Sequence, residues 1–523
     1  MNTYPIKNSR KELENILAEL ERRARKKGMI KPYFEWVKDH WTSRGKHLDF
    51  TEHKYLKKIY EDQSKEIVYL KSAQAGLTER MITEAIWLAD QFNENSLYLF
   101  PTSSTVSDLV QERVDDPINN NRYLAVVSGR SKKILGKQAD KVGMKRMSKG
   151  FVYFRGSNKP TQITSVPADI VFVDELDRMS QESVPYFKKR LAHSNRQWIR
   201  WASTPTTPNY GIDKIFKDSD QHYCYIKCTH CNKQQKLTFW DNIENKKLVC
   251  QSCRKKIVPW ECEMEWIPDK PGMDTRGYHV SSLYSPYLNI EELVKSSEKT
   301  SEWEIMQFYN QDLGMAYEPK GSKITEEDLN SCKRDYTIPL KESEAFIGID
   351  VGKVLHVVII GKQKVLYISE IKDFEELDGL MLDYNVKKGV IDALPETRKA
   401  QEFANRHSGR IHLCYYSGLK EVKEGEWFKT DTDKVNTDRT LSLDKSGDEI
   451  KKQEIQMPKN LEDYPDFKEH VKNLVRVISE DKYGNKKAEY VKMGDDHFRH
   501  SLNYAVIAKH IFSNYVMPEV FTI

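Results

Sequence analysis

Between Ile67 and Pro208, short apolar runs alternate with helical stretches: EIVYL, MITEAIWLADQF, SLYLF, ADIVFVDEL and QWIRWASTP follow in that order. Such alternation predicts parallel strands joined by crossover helices. A second succession begins near Ser343. There AFIGIDVGKVLHVVIIGKQKVLYISEIKD gives three strand-like runs in hairpin order, and GVIDAL and IHLCYY supply further strands after a helix. Between the two lies a cysteine-rich insert and then a helical, Pro-punctuated stretch to about residue 340. Ahead of both, residues 10–27 place Leu13, Ile16, Leu17 and Leu20 on one face of an amphipathic helix that stops at Gly28, expected to pack on the next domain. The polar tract from Lys420 to Gln456 has few apolar anchors and reads as a loop or mobile flap inserted into the second domain. No repeat of solenoid or propeller period is visible.

A chain of 523 residues is too long for one core. The expected division is an N-terminal helical segment over 1–50, an α/β domain over 51–340 with a cysteine-rich insert at 222–262, and a second α/β domain over 343–523. With 39% hydrophobic and 31% charged residues the composition is that of a soluble globular protein. No apolar run is long enough to span a membrane, and MNTYPIKNSRKELEN lacks the apolar core of a signal peptide, so an intracellular protein is expected. A net charge of +5 on so long a chain permits nucleic-acid binding without arguing for it.

The stretch KSAQAGLTE, residues 71–79, follows one predicted strand and opens a helix, the context in which a phosphate-binding loop is credible. Laid on G-x-x-x-x-G-K-[ST], Gly76 and Thr78 fall in place, but Leu77 takes the lysine position and Lys71 that of the first glycine. Backbone amides across Ser72, Ala73, Gln74, Ala75, Gly76 and Leu77 would cradle phosphates whatever the side chains, with Thr78 offering a hydroxyl to Mg²⁺ and Lys71 a cation from the loop entrance. The alternative is a ligand-free strand-to-helix turn. Two later strand ends favour the nucleotide reading. ADIVFVDELDRM ends in Asp174, suited to hold Mg²⁺, and Glu175, suited to orient the attacking water, and WASTP places Ser203 and Thr204 within reach of a terminal phosphate. Arg80 and Arg113 are the nearest arginines for stabilising transferred charge, although solvation is the ordinary role of either.

Cys228 and Cys231 in CTHC, with Cys250 and Cys253 in CQSC, form two C-x₂-C knuckles separated by 18 residues. This spacing favours one tetrahedral Zn²⁺ over chance clustering, and four thiolates leave no open position, so the site reads as structural. Cys224 and Cys262 are read as core thiols. In the second domain Asp350 ends AFIGID, Asp392 ends GVID, and Asp495 and Asp496 open the helix DDHFRHSLNYAVIAKHIF. Each alone is more often a cap or turn residue. Together they suit a pair of Mg²⁺ or Mn²⁺ ions about 4 Å apart, the arrangement for phosphodiester hydrolysis. The three-stranded opening makes this domain similar to the ribonuclease H-like fold. His356, His497 and His500 stand near these acids; contact with metal or phosphate is open to any of them, while an ordinary surface or core histidine is the favoured reading of each.

On these residues the chain resembles the large terminase subunits of tailed double-stranded DNA phages, in particular the lambda-like branch. The resemblance spans roughly residues 30 to 515 and is most specific from YIKCTHCNKQQKLTF through CQSC to GYHVSSLYSPY. It implies a P-loop ATPase domain with a zinc-ribbon-like insert, followed by a ribonuclease H-like nuclease domain. The implied activity is ATP-driven packaging of viral DNA together with metal-dependent cutting of concatemeric genomes. Some lambda-like members begin the phosphate loop with lysine, as Lys71 does here. By the same resemblance Asp174 and Glu175 match the second nucleotide motif, Ser203 and Thr204 the coupling segment, and Asp350, Asp392 and Asp496 the nuclease acids. His500 stands where many members carry a further aspartate, which leaves the third metal ligand open among Asp495, Asp496 and His500. The implied cofactors are ATP, Mg²⁺ or Mn²⁺, and Zn²⁺. The implied partners are double-stranded DNA, a small terminase subunit, the portal protein of the procapsid and further copies in a ring, in the cytoplasm of the infected host and outside the mature virion. The rival readings are another nuclease-fused helicase or translocase, and a non-catalytic zinc-containing DNA-binding scaffold.

Overall fold

A computed structural model describes residues 30–43, 45–129, 141–157, 163, 166–417, 426–480 and 486–516. The amphipathic helix expected over 10–27 lies outside the described residues. The chain forms two compact units, Met1–Glu318 and Pro319–Ile523.

The first unit is built on a 10-stranded sheet. Its strands in chain order are β1 (Glu66–Lys71), β2 (Ser96–Phe100), β3 (Met144–Met147), β4 (Gly150–Gly156), β5 (Ile170–Asp174), β6 (Trp198–Ser203), β7 (His222–Lys227), β8 (Gln234–Lys236), β9 (Glu263–Pro268) and β10 (Arg276–Val280). Across the sheet they run β8-β7-β10-β1-β6-β5-β2-β4-β3, with β9 also on β7. From β7 through β10, β1, β6, β5 and β2 to β4 every pair is parallel, as the apolar runs predict. Helix α1 (Leu77–Gln91) covers this sheet and is buried on nearly all sides, carrying Arg80 and Glu84 into the interior with Met81, Ile82, Ala85 and Leu88. Both charges are compensated there. Arg200 of β6 grips Glu84 with two bonds, Nε to Oε2 at 2.9 Å and Nη2 to Oε1 at 3.0 Å, and Arg80 pairs with the same carboxylate. Burial would raise the pKa of Glu84, but Arg200 and then Arg80 outweigh it and hold it low. This triad ties α1 to the middle of the sheet.

The second unit has a seven-stranded sheet. Its strands are β11 (Ala345–Val351), β12 (Leu355–Ile360), β13 (Val365–Ile371), β14 (Val386–Asp392), β15 (Ile411–Tyr416), β16 (Phe428–Thr430) and β17 (Lys434–Thr437), in the order β13-β12-β11-β14-β15-β17-β16. The first three are antiparallel, while β14, β15 and β17 continue parallel to β11. Helix α2 (Arg439–Lys451) and the long helix α3 (His497–Val516) follow, the latter packed on β11, β12 and β14.

Two expectations are corrected here. Structure from 319 onward belongs to the second unit, ahead of the expected start at 343: Leu329 and Cys332 lie in its core, and the Lys333–Arg334 strand pairs with Met457–Pro458. The tract from 420 to 456, expected as a flap, instead supplies β16, β17 and α2 over its described part. Its helix is buried through polar groups. Ser446 donates to Asn503 Oδ1 at 2.7 Å, Asn503 donates to Ser442 Oγ at 3.1 Å, and the buried Arg499 donates to Ser446 Oγ and to the Leu443 carbonyl, each at 2.8 Å. A hydropathy pattern does not see such a face.

The contact between β11 and α3 depends on Gly348. A Cβ there would stand 1.9 Å from the Ser501 carbonyl oxygen and 2.3 Å from the Ala505 nitrogen, both backbone atoms. Gly348→Ala should therefore destabilise the second unit by about 3 kcal/mol, read as an earlier transition in thermal or denaturant unfolding. An unchanged transition would mean that α3 rides further from the sheet.

Candidate active sites

In the first unit β1, β6 and β5 are neighbours, so their carboxyl ends bring Lys71, Ser203 and Asp174 to one edge, where open parallel sheets bind ligands. The turn from β1 into α1 is held at its entrance, where the Ser72 amide donates to the Val280 carbonyl and that of Ala73 to the Gln311 carbonyl, both at 2.8 Å. Ala73, Gln74 and Gly76 are exposed on the turn, Thr78 is half-buried, and Ala75 and Leu77 point into the core. Gly76, at φ 80°, is the left-handed residue from which α1 starts. Leu77 at 1% exposure is a core residue, and a lysine there would bury its ammonium among apolar side chains. The cation comes from the other end of the turn. Lys71 Nζ lies 3.1 Å from Glu175 Oε1, and the Thr78 hydroxyl donates to Asp174 Oδ2 at 2.8 Å.

Asp174 is almost fully buried and also accepts from the Tyr98 hydroxyl at 3.0 Å. Burial pushes its pKa up, against the ammonium of Lys71. Glu175 feels the same burial, but Lys71 and then Arg178 hold its carboxyl below the usual range. Lys71 itself is kept charged by Glu175 and Asp174 against its own burial. Glu175 sits in the left-handed region at φ 60°, a strained conformation for a residue with a side chain.

Ser203 is buried, accepts from the Asp177 amide at 3.2 Å, and donates to the Thr204 carbonyl at 2.8 Å. The Thr204 hydroxyl accepts from Gln311 Nε2 at 3.4 Å. Asp177, which sequence reasoning passed over although it lies two residues after Glu175, links this strand end to residues 206–212. Its carboxylate accepts from the Ile212 amide and from both the amide and the hydroxyl of Thr206, at 2.7 to 2.9 Å. Arg80 is fully buried in the triad with Glu84, so this candidate guanidinium neither faces solvent nor stands free for a phosphate but is spent on structure. Arg113 is exposed, and its charge acts weakly against the burial that raises the pKa of Glu79 and of Tyr98.

The four cysteines Cys228, Cys231, Cys250 and Cys253 converge, with every sulfur within 4.8 Å of the others. Amides of His230 and Ser252 donate to Cys228 and Cys250 sulfurs at 3.4 Å, and Gln235 Nε2 donates to Cys250 at 3.2 Å. Against burial, the Cys253 amide, then the Ser252 amide and Gln235 Nε2, bring the Cys250 thiol down to about 6. Cys224 and Cys262 are buried and stand outside the cluster, their thiols pushed up by burial.

In the second unit Asp350 near the end of β11 is buried and pairs with His497 Nδ1, the first residue of α3, at 2.8 Å. Asp392 at the end of β14 accepts from the Leu394 amide at 3.1 Å, and burial, aided by the negative charge of Asp350, pushes its carboxyl up to about 6. Asp496 is buried and meets Lys492 at 3.0 Å, His500 at 3.3 Å and Arg439 at 3.9 Å. Burial opposes its charge, but His500 and Lys492 hold it far below the usual range. Asp495 is exposed, and its carbonyl accepts from Asn473. Of the two adjacent acids, therefore, Asp496 is the one turned into the protein. Among the described residues, the donor atoms that come within 4.8 Å of one another are those of Asp350, His356 and His497, and Asp392 and Asp496 do not join that group. Lys492, Arg439 and Glu370, which line this region, had no distinguishing signal in the sequence.

A nucleotide-loop sheet with a four-cysteine insert, followed by a ribonuclease H-like sheet with acids at its strand ends, defines a P-loop ATPase fold joined to a nuclease fold. Family models agree with this division. The ATPase domain of the phage terminase large subunit gpA matches residues 53–265, and the gpA endonuclease domain matches residues 275–367. The chain belongs to the phage terminase large subunit family. The second match begins at β10, which completes the ATPase sheet. A curated relative, the large terminase subunit of Enterobacteria phage P21, is 22% identical over 272 residues, covering 43% of this chain and 41% of the relative's length. Among solved structures, a large terminase from a thermophilic bacteriophage aligns with 88% of this chain and 98% of its own at 13% identity and a TM-score of 0.31. The large terminase nuclease of the thermophilic phage G20c, with bound magnesium, aligns with 36% of this chain and 97% of its own, at 13% identity and a TM-score of 0.24.

Burial raises the Asp177 carboxyl to about 7, against the bonds from Ile212 and Thr206, whereas the unfolded chain titrates near about 3.9. Ionising it therefore costs native stability, a cost that is absent below about pH 4 and complete above about pH 7. Asp177→Asn should flatten the loss of stability of the first unit between those limits, measured by thermal unfolding at pH 5 and pH 8. Parallel curves for variant and wild type would refute the assignment.

Proposed function

We propose that this chain is the ATP-driven motor and endonuclease of viral DNA packaging, with hydrolysis in the first unit and cutting in the second. The observation that carries the first half is the pairing of Lys71 with Glu175 beside that of Thr78 with Asp174. A cation and a hydroxyl thus stand at the loop, facing the two carboxylates that hydrolysis needs. The buried Ser72 hydroxyl, which has no hydrogen-bond partner among the described residues, adds a polar group at the same turn. ATP fits here with its phosphates on the amides from Gln74 to Thr78 and its charge met by Lys71. Asp174 and Thr78 would hold Mg²⁺, which when bound neutralises charge developing on the phosphates. Glu175 orients the attacking water, and Arg113 and Arg178, the latter 3.8 Å from Glu175, are exposed guanidiniums available to the transferred phosphoryl group. Ser203 and Thr204 pass the change in that site to Asp177 and, through it, to Thr206 and the helix at Gly211–Lys217.

In the second unit Asp350, Asp392 and Asp496 would hold the Mg²⁺ or Mn²⁺ ions of a nuclease. His500 lies against Asp496 and near enough to Asp392 to act on it electrostatically. It therefore stands between two of the three acids and completes their polar surroundings. The four converging cysteines fit one Zn²⁺, because sulfur ligands in a tetrahedral set with N–H donors to the sulfurs are what that ion takes. Double-stranded DNA is the substrate, gripped chiefly through phosphates and hence in a salt-dependent way. The small terminase subunit, the portal, a ring of copies and the host cytoplasm follow from the same reading.

Lys71→Ala should lower ATP turnover by about 100-fold or more while leaving plasmid cleavage with Mg²⁺ or Mn²⁺ intact, and Asp350→Ala should do the reverse. ATP hydrolysis at the wild-type rate by Lys71→Ala would remove the loop lysine from its role. Loss of neither activity in either variant would favour a non-catalytic DNA-binding scaffold. Purified protein should also carry one zinc per chain by elemental analysis. Cys228→Ser and Cys253→Ser should each lose it, with a drop in unfolding temperature. A full complement of zinc in both variants would place the ion elsewhere.

A further inference from the structure

Next to the nuclease acids lies a group that a set of oxygen ligands does not use. His356 of β12 is the cross-strand partner of Asp350, and its ring stacks on that of His497 with centroids 4.5 Å apart and planes 15° apart. It is 5% exposed. Its Nε2 meets Glu370 Oε1 at 3.1 Å, whereas its Nδ1 is buried without a hydrogen-bond partner among the described residues. A neutral imidazole that donates one N–H to a carboxylate turns its other nitrogen into a lone-pair donor, the tautomer in which metal-binding histidines are held. His497 Nδ1 and Asp350 Oδ2 are already 2.8 Å apart, and one donor atom from each of Asp350, His356 and His497 lies within 4.8 Å of the others. Atoms bound to a single ion at about 2.1 Å stand about 3 to 4.3 Å apart, so loading closes the present spacing slightly and turns the two stacked rings out of parallel until their lone pairs meet at one point. The edge of Phe498 against His356, at 4.8 Å, walls the group from one side.

We propose that Asp350, His356 and His497 form a seat of two imidazoles and one carboxylate for a divalent first-row transition-metal cation, with Mn²⁺ as its spectroscopic probe and Glu370 fixing the tautomer of His356. This rests on the nuclease reading of the unit and deepens it. Nitrogen ligands disfavour Mg²⁺, which takes oxygen, and favour first-row transition metals. Asp350 then belongs to a site that tells the two kinds of ion apart, while Asp392 and Asp496, outside this group, provide oxygen only.

The test is Mn²⁺ binding to the full chain without nucleotide, followed by electron paramagnetic resonance with pulsed detection of ¹⁴N couplings. Coupling to two imidazole nitrogens is expected in the wild type. It should fall to one in His356→Gln and in His497→Gln, and each variant should bind Mn²⁺ about tenfold or more weakly. Glu370→Gln should keep both couplings but weaken binding to a similar degree. Bound Mn²⁺ with no nitrogen coupling in the wild type would overturn the seat whatever the variants do, and would leave the nuclease reading standing. That reading is tested separately by DNA cleavage with Asp350→Ala, which does not depend on the nitrogen signal.

Discussion

A buried carboxylate must be matched by a counter-charge or give up its own, and both candidate sites are organised by that constraint. Asp174, Asp350 and Asp496 are each less than a tenth exposed because each lies at a strand end or helix start that the core encloses. Each is answered by a particular base. Lys71 answers Asp174 and Glu175, His497 answers Asp350, and Lys492 with His500 answers Asp496. Removing one partner of such a pair leaves an uncompensated charge, at a cost of about 3 to 5 kcal/mol. The same logic explains the Arg80, Glu84 and Arg200 triad, where two guanidiniums surround one acid in the middle of the first unit. Here the charges have no reason to separate, and they act as structure.

Much of this was legible from residue order. The parallel sheet of the first unit and the hairpin opening of the second follow from apolar runs of five to seven residues, because strands buried on both faces must be apolar throughout. The phosphate turn, the acidic strand ends and the paired knuckles were legible because local spacing and backbone context suffice to define them. What escaped notice was set by tertiary contact. Nothing near Arg80 in the sequence announces that Arg200, far along the chain, shares its carboxylate. Nothing near His356 announces that the first residue of α3 stacks on it.

The tract from 420 to 456 shows a different limit. Hydropathy reads polar residues as solvent-facing, a correlation that fails when buried polar groups satisfy one another. Ser442 and Ser446 are buried against Asn503 and Arg499, so the face of α2 toward α3 is hydrogen-bonded instead of oily. Such a contact is demanding in geometry, since any unpaired member is costly. It holds α2 in one place beside the helix that carries His497 and His500. The boundary between units was misplaced for a related reason. The short helix at Glu326–Ser331 and the strand at Lys333–Arg334 have too few residues to declare a period, and only their partners assign them to the second unit.

The departure of the phosphate turn from its usual pattern also becomes intelligible through packing. With Leu77 committed to the core, a lysine at that position would lose either its charge or its packing, so the cation has to enter from the strand side. Lys71 is the last residue of β1, paired with Val280 of β10 on one side, while on the other side the ladder to β6 ends at Leu70. An ammonium placed there is less free to wander than one on the first turn of a helix. It also begins in contact with Glu175. On the proposed reading, an incoming phosphate would compete with Glu175 for the same ammonium and so release the glutamate. The displaced lysine would then tie the freeing of Glu175 to the arrival of the anion, a coupling that a lysine on the far side of the turn would not provide.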